Sequence, residues 1–431
     1  MRCARLVTAA ASGMFAAGAA ATEYEYGLTA GIGRSDNVTR VPANEQEETI
    51  AMAGLELRAN RHGGRVDANA DVDLYFHDYQ DDTFDDEFSG LANAEVQFKL
   101  VPDRFTWVAT DNFGQATTEP FEPSTPDNRE NINYFTTGPD LTFHLGSFGD
   151  LTTFARYTST NFEVSEFDDQ RLLGGVSVGR DVSSRGNLSL NATTERIEFD
   201  EPDSGSNYDR HSLFFRYEFD GARTRLRADG GVSEIHDLGS TISNPLLEVD
   251  LARSVSARST LTLRGGIRSA DAASALRYGL IPGGGTPGRP EQVSSTDPFE
   301  TRHAAIIWQF SGLRTELMLL ASLEKEVHER ETDLDRKRNF FRAVAEREIG
   351  SRFSVRAQAS FYRFDFENGG QQDDETELAL YLSWNAAGRF HVEADVEQVS
   401  RDSTDPLTDF DETRVFLRLV WRDQLGSPVA R

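Results

Sequence analysis

The feature that most constrains the fold is an alternation of apolar and polar residues with a period of two. Within residues 66–76 every even position is apolar, while Asp or Asn occupies most odd positions. The same split recurs at 88–100, 353–361, 390–397 and 415–421. Successive side chains of a strand point to opposite faces, whereas a helix places apolar residues three and four apart. The pattern therefore predicts an all-β chain.

The connections between these segments alternate in length. Nine short turns, such as 61–64 and 349–351, separate ten longer polar loops, such as 35–48 and 401–411. Outer-membrane barrels have short periplasmic turns and longer outer loops. The alternation predicts about 20 strands with both termini in the periplasm, and 18 or 16 strands stay open.

The positions of the tryptophans separate a membrane barrel from a soluble β-sandwich, which would also alternate. All four lie on the predicted apolar face near short turns: Trp107, Trp308, Trp384 and Trp421. Aromatic rings concentrate where a membrane meets water. We therefore predict that these residues form a membrane girdle in contact with outer-membrane lipids and lipopolysaccharide.

Composition excludes two other classes of protein. A mean hydropathy of −0.50 is too low for a bundle of transmembrane helices, each of which needs about 20 apolar residues. The net charge of −27 argues against a nucleic-acid partner, because phosphate recognition requires a basic surface.

The first 21 residues are typical of a secretory signal peptide. Arg2 and Arg5 precede a small, apolar run that ends in the cleavage-like sequence 19–21. The only cysteine of the chain, Cys3, would be removed with this signal. We expect residues 1–21 to be the signal and residues 22–431 to be one domain. An ordinary periplasmic or secreted protein is the alternative.

A barrel in lipid needs its last strand to pair with its first, because an open edge would leave backbone groups unsatisfied. Residues 23–33 and 415–421 are the expected partners. With little chain ahead of residue 23, we predict a transmembrane antiparallel up-and-down β-barrel with no plug domain. Asp111 and Arg253 are exceptions, because they carry charge on the predicted lipid face.

Charged residues alternate with the apolar ones and are predicted to line the pore. Many of them are expected to neutralise one another across strands, as Glu393 with Arg418 and Glu397 with Arg414, while a selectivity or cargo-binding role is the alternative. The pore-lining candidates are Asp67, Asp71, Asp73, Arg225, Arg227, Arg264, Arg268, Arg356, Glu393, Asp395, Arg414 and Arg418.

Two long loops are candidates for narrowing the pore. Residues 116–130 connect the fifth and sixth strands, where general porins fold a constriction loop inward, and residues 270–298 are rich in Gly and Pro. A plain disordered outer loop is the favoured interpretation and a gate is the alternative.

We predict no enzyme, cofactor or metal. His77 and Asp78 with Asp81 and Asp82 are similar in composition to the catalytic pairs of outer-membrane aspartyl-type proteases, but those barrels are smaller. The acidic loops lack the spacing of a calcium-binding loop, so solvated carboxylates are the simpler interpretation.

The first strand and the sequence that follows it, residues 34–42 (RSDNVTRVP), resemble the start of the putative β-barrel porin type 2 family. The resemblance implies an outer-membrane barrel, often encoded beside exopolysaccharide or capsule genes, that passes polysaccharide outward.

Three functional hypotheses follow for this expected outer-membrane protein of a Gram-negative bacterium. The first is a passive conduit for exopolysaccharide or capsule secretion, with polysaccharide and periplasmic export components as partners. The others are a general or solute-specific diffusion porin, and a structural or surface-interaction barrel. In each case the barrel assembly machinery is an expected partner.

Overall fold

A computed structural model describes residues 22–200, 207–237, 240–275 and 292–425. The predicted signal peptide, residues 1–21, lies outside the described residues. Among the helices described, none has the length and apolar character needed to cross a membrane.

The described chain consists almost entirely of long strands whose lengths run from 12 to 17 residues. A strand needs about 9–11 residues to cross a bilayer, so each is long enough to span it and project beyond it. The first ten are β1 Thr22–Ser35, β2 Glu48–Arg61, β3 Val66–Tyr79, β4 Glu87–Val101, β5 Phe105–Thr117, β6 Arg129–His144, β7 Asp150–Phe162, β8 Asp169–Ser183, β9 Gly186–Phe199 and β10 Tyr208–Asp220. The others are β11 Thr224–Asp237, β12 Ser240–Ser256, β13 Ser259–Ala270, the two-residue β14 Gln292–Val293, β15 Phe299–Ser311, β16 Thr315–His328, β17 Arg336–Ile349, β18 Phe353–Phe366, β19 Gln372–Ala387, β20 Phe390–Ser403 and β21 Phe410–Leu425.

The long strands form a closed antiparallel barrel of 20 strands. Each long strand pairs with the next long strand along the chain. β13 therefore pairs directly with β15, because the short β14 belongs to the loop between them. The wall closes where β1 pairs with β21, from Tyr24 opposite Leu425 to Ser35 opposite Arg414. A closed wall leaves no strand edge exposed to lipid. We call the side of the short turns the turn end and the opposite side the loop end.

The four tryptophans lie on the outward face near the turn end. Trp107 and Trp384 are 39% and 40% exposed, as expected of side chains that face away from the lumen. Trp421 lies opposite Leu28, an outward residue of β1. Two indole N–H groups have partners, because Trp107 donates to Thr137 Oγ1 and Trp308 to Ser259 Oγ, each at 2.8 Å.

The two exceptions on the outward face differ. Asp111 shares the alternation of Trp107, but it is only 8% exposed and accepts a hydrogen bond of 2.7 Å from Asn133 Nδ2. This hydrogen bond, rather than a bulge in the strand, accommodates the carboxylate. Arg253 is exposed at the turn end of β12, from which an arginine can extend into the headgroup region.

The buried apolar residues form separate clusters along the wall instead of one central core. The largest contains Ala116, Ile132, Tyr134 and Phe162 from three neighbouring strands, and Ala273 from the long loop after β13. β14, in the same loop, pairs in parallel with β5. This parallel pair departs from the predicted antiparallel pattern, because β14 is part of a loop that lies within the barrel and not a strand of its wall.

Candidate functional site

The predicted pore-lining residues all occupy the lumen-facing alternation of their strands, opposite in parity to the outward leucines and tryptophans. On the side of the lumen near β1 they form ion pairs with neighbouring strands. Arg58 contacts Asp71 at 2.9 Å and Asp73 at 2.6 Å, and Lys99 contacts Asp67. These carboxylates are therefore part of the wall's own charge balance.

The strands β20 and β21 lie beside the seam, where β21 pairs with β1 and closes the barrel. Their lumen-facing residues also form ion pairs, but one predicted partner differs. Glu397 pairs with Arg414 at 2.8 Å, as the sequence predicted. The predicted pairing of Glu393 with Arg418 is wrong, because Arg418 contacts Asp395 and Glu393 contacts Arg422 at 3.0 Å. The shift arises because an arginine side chain is long enough to reach a carboxylate diagonally opposite it.

The opposite side of the lumen encloses a chamber of about 840 Å³ that is lined by β4–β13 and β15. Three predicted residues line it with their acidic partners: Arg227 with Asp229 at 3.2 Å, Arg264 with Asp250 at 3.0 Å and Arg268 with Glu248 at 3.6 Å. Arg225 and Arg356 do not line it. Arg225 lies exposed at the turn end, 3.8 Å from Asp220, and Arg356 lies over the ring of Tyr381.

Sequence reasoning missed several residues of the chamber. Arg156, Arg210, Phe154 and His303 line it although none was among the candidates. The sequence pattern could have identified them, because each occupies a position of its strand whose side chain faces the lumen. The chamber is therefore mixed in sign, with arginine, carboxylate and aromatic groups on one wall.

Two loop segments cross the mouth of the barrel at the loop end, and we call them the crossing segments. The first comprises residues 118–128, which connect β5 to β6 and fold inward. Asn128 holds its shape, because Nδ2 donates to the carbonyl groups of Glu119 at 2.9 Å and Pro123 at 3.0 Å. Asn128 Oδ1 accepts from Thr118 Oγ1 at 2.9 Å and from the Glu119 N–H at 2.7 Å. The segment is thus a compact unit and not an extended loop.

This segment reaches the far side of the barrel. The Phe121 carbonyl oxygen accepts hydrogen bonds from Gln371 Nε2 at 2.8 Å and Arg401 Nη2 at 3.0 Å. The Phe121 ring packs on Phe366 with a centroid distance of 4.8 Å, and Arg40 donates to the Ser124 carbonyl at 2.7 Å. Since these partners belong to β18, β20 and the loops that follow β1 and β18, the segment bridges the mouth at the loop end.

The second crossing segment comprises residues 271–275 and 292–298; residues 276–291 lie outside the described chain. Asp271 follows β13 and contacts Arg171 Nη1 of β8 at 2.9 Å. Its Oδ2 also accepts a hydrogen bond of 3.1 Å from the Tyr208 hydroxyl. The side chains of Asp271 and Arg171 are 5% and 2% exposed, so this anchor is a buried ion pair that joins the loop after β13 to β8.

The other half of the second segment is held at both of its ends. The Ser294 N–H donates to the Thr117 carbonyl at 2.8 Å, and Ser294 Oγ donates to Glu130 at 2.5 Å. Near β15, Asp297 accepts from Arg330 Nε at 2.8 Å and from the Glu331 N–H at 2.9 Å. The preference for plain disordered outer loops at 116–130 and 270–298 is therefore wrong for the described parts.

The electrostatics of Asp271 favour its charged form. Burial by itself raises the pKa of a carboxyl group. At Asp271 the guanidinium groups of Arg171 and Arg210 outweigh burial and hold the pKa below its ordinary value of 3.8. The anchor of the second segment thus stays charged at neutral pH.

The sequence RSDNVTRVP joins the first strand to the last. Asn37 is fully buried, and its Nδ2 donates to the carbonyl groups of Val41 and Asp411, each at 2.9 Å. Asp36 Oδ1 accepts from the Thr413 N–H at 2.7 Å. Arg40 pairs with Glu412 at 2.9 Å while it holds the first crossing segment. The motif thus clamps the seam and supports the mouth.

The residues considered for catalysis or metal binding are not brought together. His77 and Asp78 are consecutive residues of β3 and so point to opposite faces of the wall. Asp81 Oδ2 accepts a hydrogen bond from the Thr49 N–H. Within the described residues, no group of three His, Cys, Asp or Glu side chains is arranged to hold a metal ion.

The fold is that of an outer-membrane β-barrel. Residues 301–423 match the model of the family described as Putative beta-barrel porin 2, which confirms the resemblance seen at residues 34–42 through a different part of the chain. No curated protein matches the chain.

Solved structures with a similar fold are siderophore receptors. A variant of the ferric enterobactin receptor of Pseudomonas aeruginosa is similar with a TM-score of 0.50 and 10% identity over 94% of this chain and 81% of that one. A siderophore receptor of Acinetobacter baumannii has a TM-score of 0.48 and 8% identity over 94% and 81%. At such identities the likeness concerns the fold alone. The family and these neighbours indicate an outer-membrane location.

The likeness corrects the predicted fold class, which excluded a plug domain. The ferric enterobactin receptor, the neighbour with the TM-score of 0.50, is a TonB-dependent receptor, and such receptors have a plug domain. The shortness of the chain ahead of residue 23 was therefore a poor guide to what occupies the lumen. In the part of the chain that the structure describes there is no separate plug domain, and the two crossing segments occupy the mouth.

Proposed function

We propose that this chain is an outer-membrane conduit for exopolysaccharide or capsule secretion in a Gram-negative bacterium. The resemblance to β-barrel porins of polysaccharide gene clusters supports the cargo, and the 20-strand wall supports the conduit, because barrels of 16–18 strands already leave an aqueous channel. The barrel assembly machinery would insert the chain and periplasmic export components would deliver the polymer. The proposal needs no catalytic step and no cofactor.

The observation that carries the proposal is the chamber under the crossing segments. Its arginines already have carboxylate partners, so neither sign of charge dominates its wall. Paired guanidinium and carboxylate groups keep spare donors and acceptors for sugar hydroxyls. Conduction requires sites that bind weakly and repeatedly along the path. A hydroxyl-rich polymer fits this wall better than a small ion of one sign.

The crossing segments give the conduit a closed state. Both lie at the loop end, and each links β5 and β6 to a distant part of the wall. Passage of a polymer therefore requires at least one segment to leave its far anchor, while the barrel wall stays intact.

A cysteine placed in the chamber tests the conduit. Only Cys3, in the predicted signal, would have to be considered beside an introduced thiol. Ser212 lines the chamber, whereas the adjacent Leu213 faces outward and is 52% exposed. We expect a bulky thiol reagent to stop polysaccharide secretion in cells that carry S212C and to leave secretion normal with L213C. Normal secretion after complete labelling of S212C, or after deletion of the gene, would refute the proposal.

A diffusion porin is the second candidate, and one observation favours it. The first crossing segment lies inward between β5 and β6, where general porins place their constriction loop. Planar-bilayer recording distinguishes the two. A porin gives steady conductance and admits small sugars with all segments in place, whereas the closed conduit conducts only after a crossing segment is released.

A further inference from the structure

A row of three cations crosses the outward face of the barrel at the loop end. Arg302 of β15 lies directly opposite Lys325 of β16, which lies directly opposite Lys337 of β17. Each shares its alternation with exposed apolar residues of the same strand: Ile306, Leu323 and Phe341. The row therefore points away from the lumen and belongs to none of the lumen contacts described above.

Such an arrangement is unfavourable unless anions lie beside it, as Asp365 of β18 does directly opposite Lys337. Like charges directly opposite each other on neighbouring strands destabilise a sheet. The row also runs against the composition of the chain, which has a net charge of −27 and three lysines in all, two of them here. Neutral polar side chains would suffice at this level of the wall if no anion were bound there.

The depth of the row matches the headgroups of the outer leaflet. Leu317, Leu319, Ala321 and Leu323 precede Lys325 on the same face of β16. At about 3.4 Å per residue and a tilt of about 40°, this stretch rises about 20 Å. The apolar band of such barrels is about 25 Å tall, so the three cations lie at its outer border.

The ammonium groups already converge on one oxyanion. Glu367, in the loop after β18, contacts Lys325 Nζ at 2.7 Å and Lys337 Nζ at 2.5 Å through its two different carboxylate oxygens. The side chains of Lys325 and Lys337 remain 35% and 48% exposed. Each ammonium has three donors, so both keep donors that face the headgroup region. Arg302, which contacts Glu300 at 2.6 Å, is 59% exposed.

We propose that Arg302, Lys325 and Lys337 form a binding site for the phosphorylated headgroup of an outer-leaflet glycolipid, the chemistry of lipid A. The phosphate lies against the three cations while the acyl chains cover Leu323 and Phe341 below it. Arg363, whose guanidinium lies 5.9 Å from the ring centre of Phe361, borders the site on β18. This inference rests on the outer-membrane placement of the proposed function and adds a specific lipid contact to it.

Titration of the purified full-length barrel in detergent with diphosphorylated lipid A tests the site. Each basic residue near a charged membrane surface strengthens binding about fivefold, so K325Q/K337Q is expected to bind about 25-fold more weakly. E367Q removes the competing carboxylate and is expected to bind more tightly than the unaltered chain. Opposite effects of these variants cannot arise from a general loss of folding.

The matched control is R347Q, on the same outward face of β17 but at the turn end, where Arg347 donates to Thr315 Oγ1 at 3.3 Å. It should bind lipid A like the unaltered chain. Equal affinity of K325Q/K337Q and the unaltered chain, or an equal loss in R347Q, would overturn the site. Equal binding of dephosphorylated lipid A would show a site for acyl chains only, and displacement by millimolar inorganic phosphate would show a free-anion site; either result refutes the proposal.

Failure of the lipid site and failure of the conduit are distinguishable. Lipid binding is measured on the purified barrel, and secretion is measured in cells with S212C. A negative result in the lipid-binding experiment does not change the result expected for secretion, and a negative result for secretion does not change the lipid binding expected.

Discussion

The two crossing segments occupy the same mouth but are held by different chemistry. The first is fastened largely through backbone carbonyl groups, at Phe121 and Ser124, and through one aromatic contact. The second is fastened through carboxylates, at Asp271 and Asp297. A hydrogen bond from a guanidinium to a neutral carbonyl contributes about 1.5–3 kcal/mol, whereas removing one partner of a buried ion pair costs about 3–5 kcal/mol. The first segment is thus the easier of the two to release.

This difference suggests an order of opening. The first segment contains its own scaffold around Asn128, so it can detach from the far wall as a unit. The second segment is tied to β8 through Arg171, and its movement would take Asp271 away from this buried arginine, which also pairs with Asp169. We therefore expect the first segment to act as the movable part and the second as the fixed part.

The largest expected effect is that of Asp271→Asn. The variant removes one carboxylate from Arg171 and Arg210, which still pair with Asp169 and Glu195. We therefore expect a loss of about 3 kcal/mol in the free energy of unfolding, the lower end of the range for a broken buried ion pair. Thermal unfolding of the barrel, followed by its gel mobility, measures the loss. The control is Asp220→Asn, whose exposed pair with Arg225 should not change the unfolding temperature. Similar losses in both would contradict the role of the buried anchor.

Phe121→Ala should have the next largest effect and should act on the first segment alone. Loss of the contact with Phe366 is expected to cost about 2 kcal/mol, because Phe121 is only partly buried. Planar-bilayer conductance should rise while the unfolding temperature changes little. Phe148→Ala, at an 80% exposed turn position, is the control. A silent Phe121→Ala barrel would show that the second segment alone closes the mouth.

Asn128→Ala should weaken the scaffold of the first segment by about 1–2 kcal/mol, since several buried groups lose their partner. Amide exchange measured by mass spectrometry is expected to quicken within residues 118–128 and to stay unchanged in residues 271–275. Faster exchange in both segments would show that they form one cooperative unit.

The smallest effect is expected from moderate acid. The pKa of Asp271 is lower in the folded chain than in an unfolded one, so its contribution to stability is present above the ordinary value of 3.8. That contribution is lost only as the pH falls through the lowered pKa. Conductance at pH 7 and pH 5 should therefore be equal in the unaltered chain. Opening between these values would assign the closure to a group other than Asp271.

The strands could be predicted from the sequence because their pattern is local. The alternation within residues 66–76 and the tryptophans at the turn end depend only on which face meets lipid. The exception at Asp111 was visible as a charge on that face. Its partner Asn133, on the next strand, required the register of the pair, which no local pattern gives.

The mouth could not be predicted in the same way. The contact between Asp271 and Arg171 joins residues 100 positions apart, and that between Phe121 and Arg401 joins residues 280 positions apart. A loop rich in Gly and Pro indicates only that regular structure is absent. Whether such a loop lies outside or inside depends on buried partners of this kind. The exclusion of a plug domain failed for a related reason, because it rested on chain length and not on contacts.

The clamp at the seam has a consequence for how the barrel forms. Asn37 and Asp411 lie at opposite ends of the polypeptide, so their hydrogen bond requires every intervening hairpin to be in place first. Ring closure between distant sequence positions is entropically costly and slow. The hydrogen bond from the buried Asn37 to the final strand would make closure of the barrel harder to reverse. In a barrel that has not yet closed, Asn37 would lack this partner and its side-chain amide would exchange with solvent.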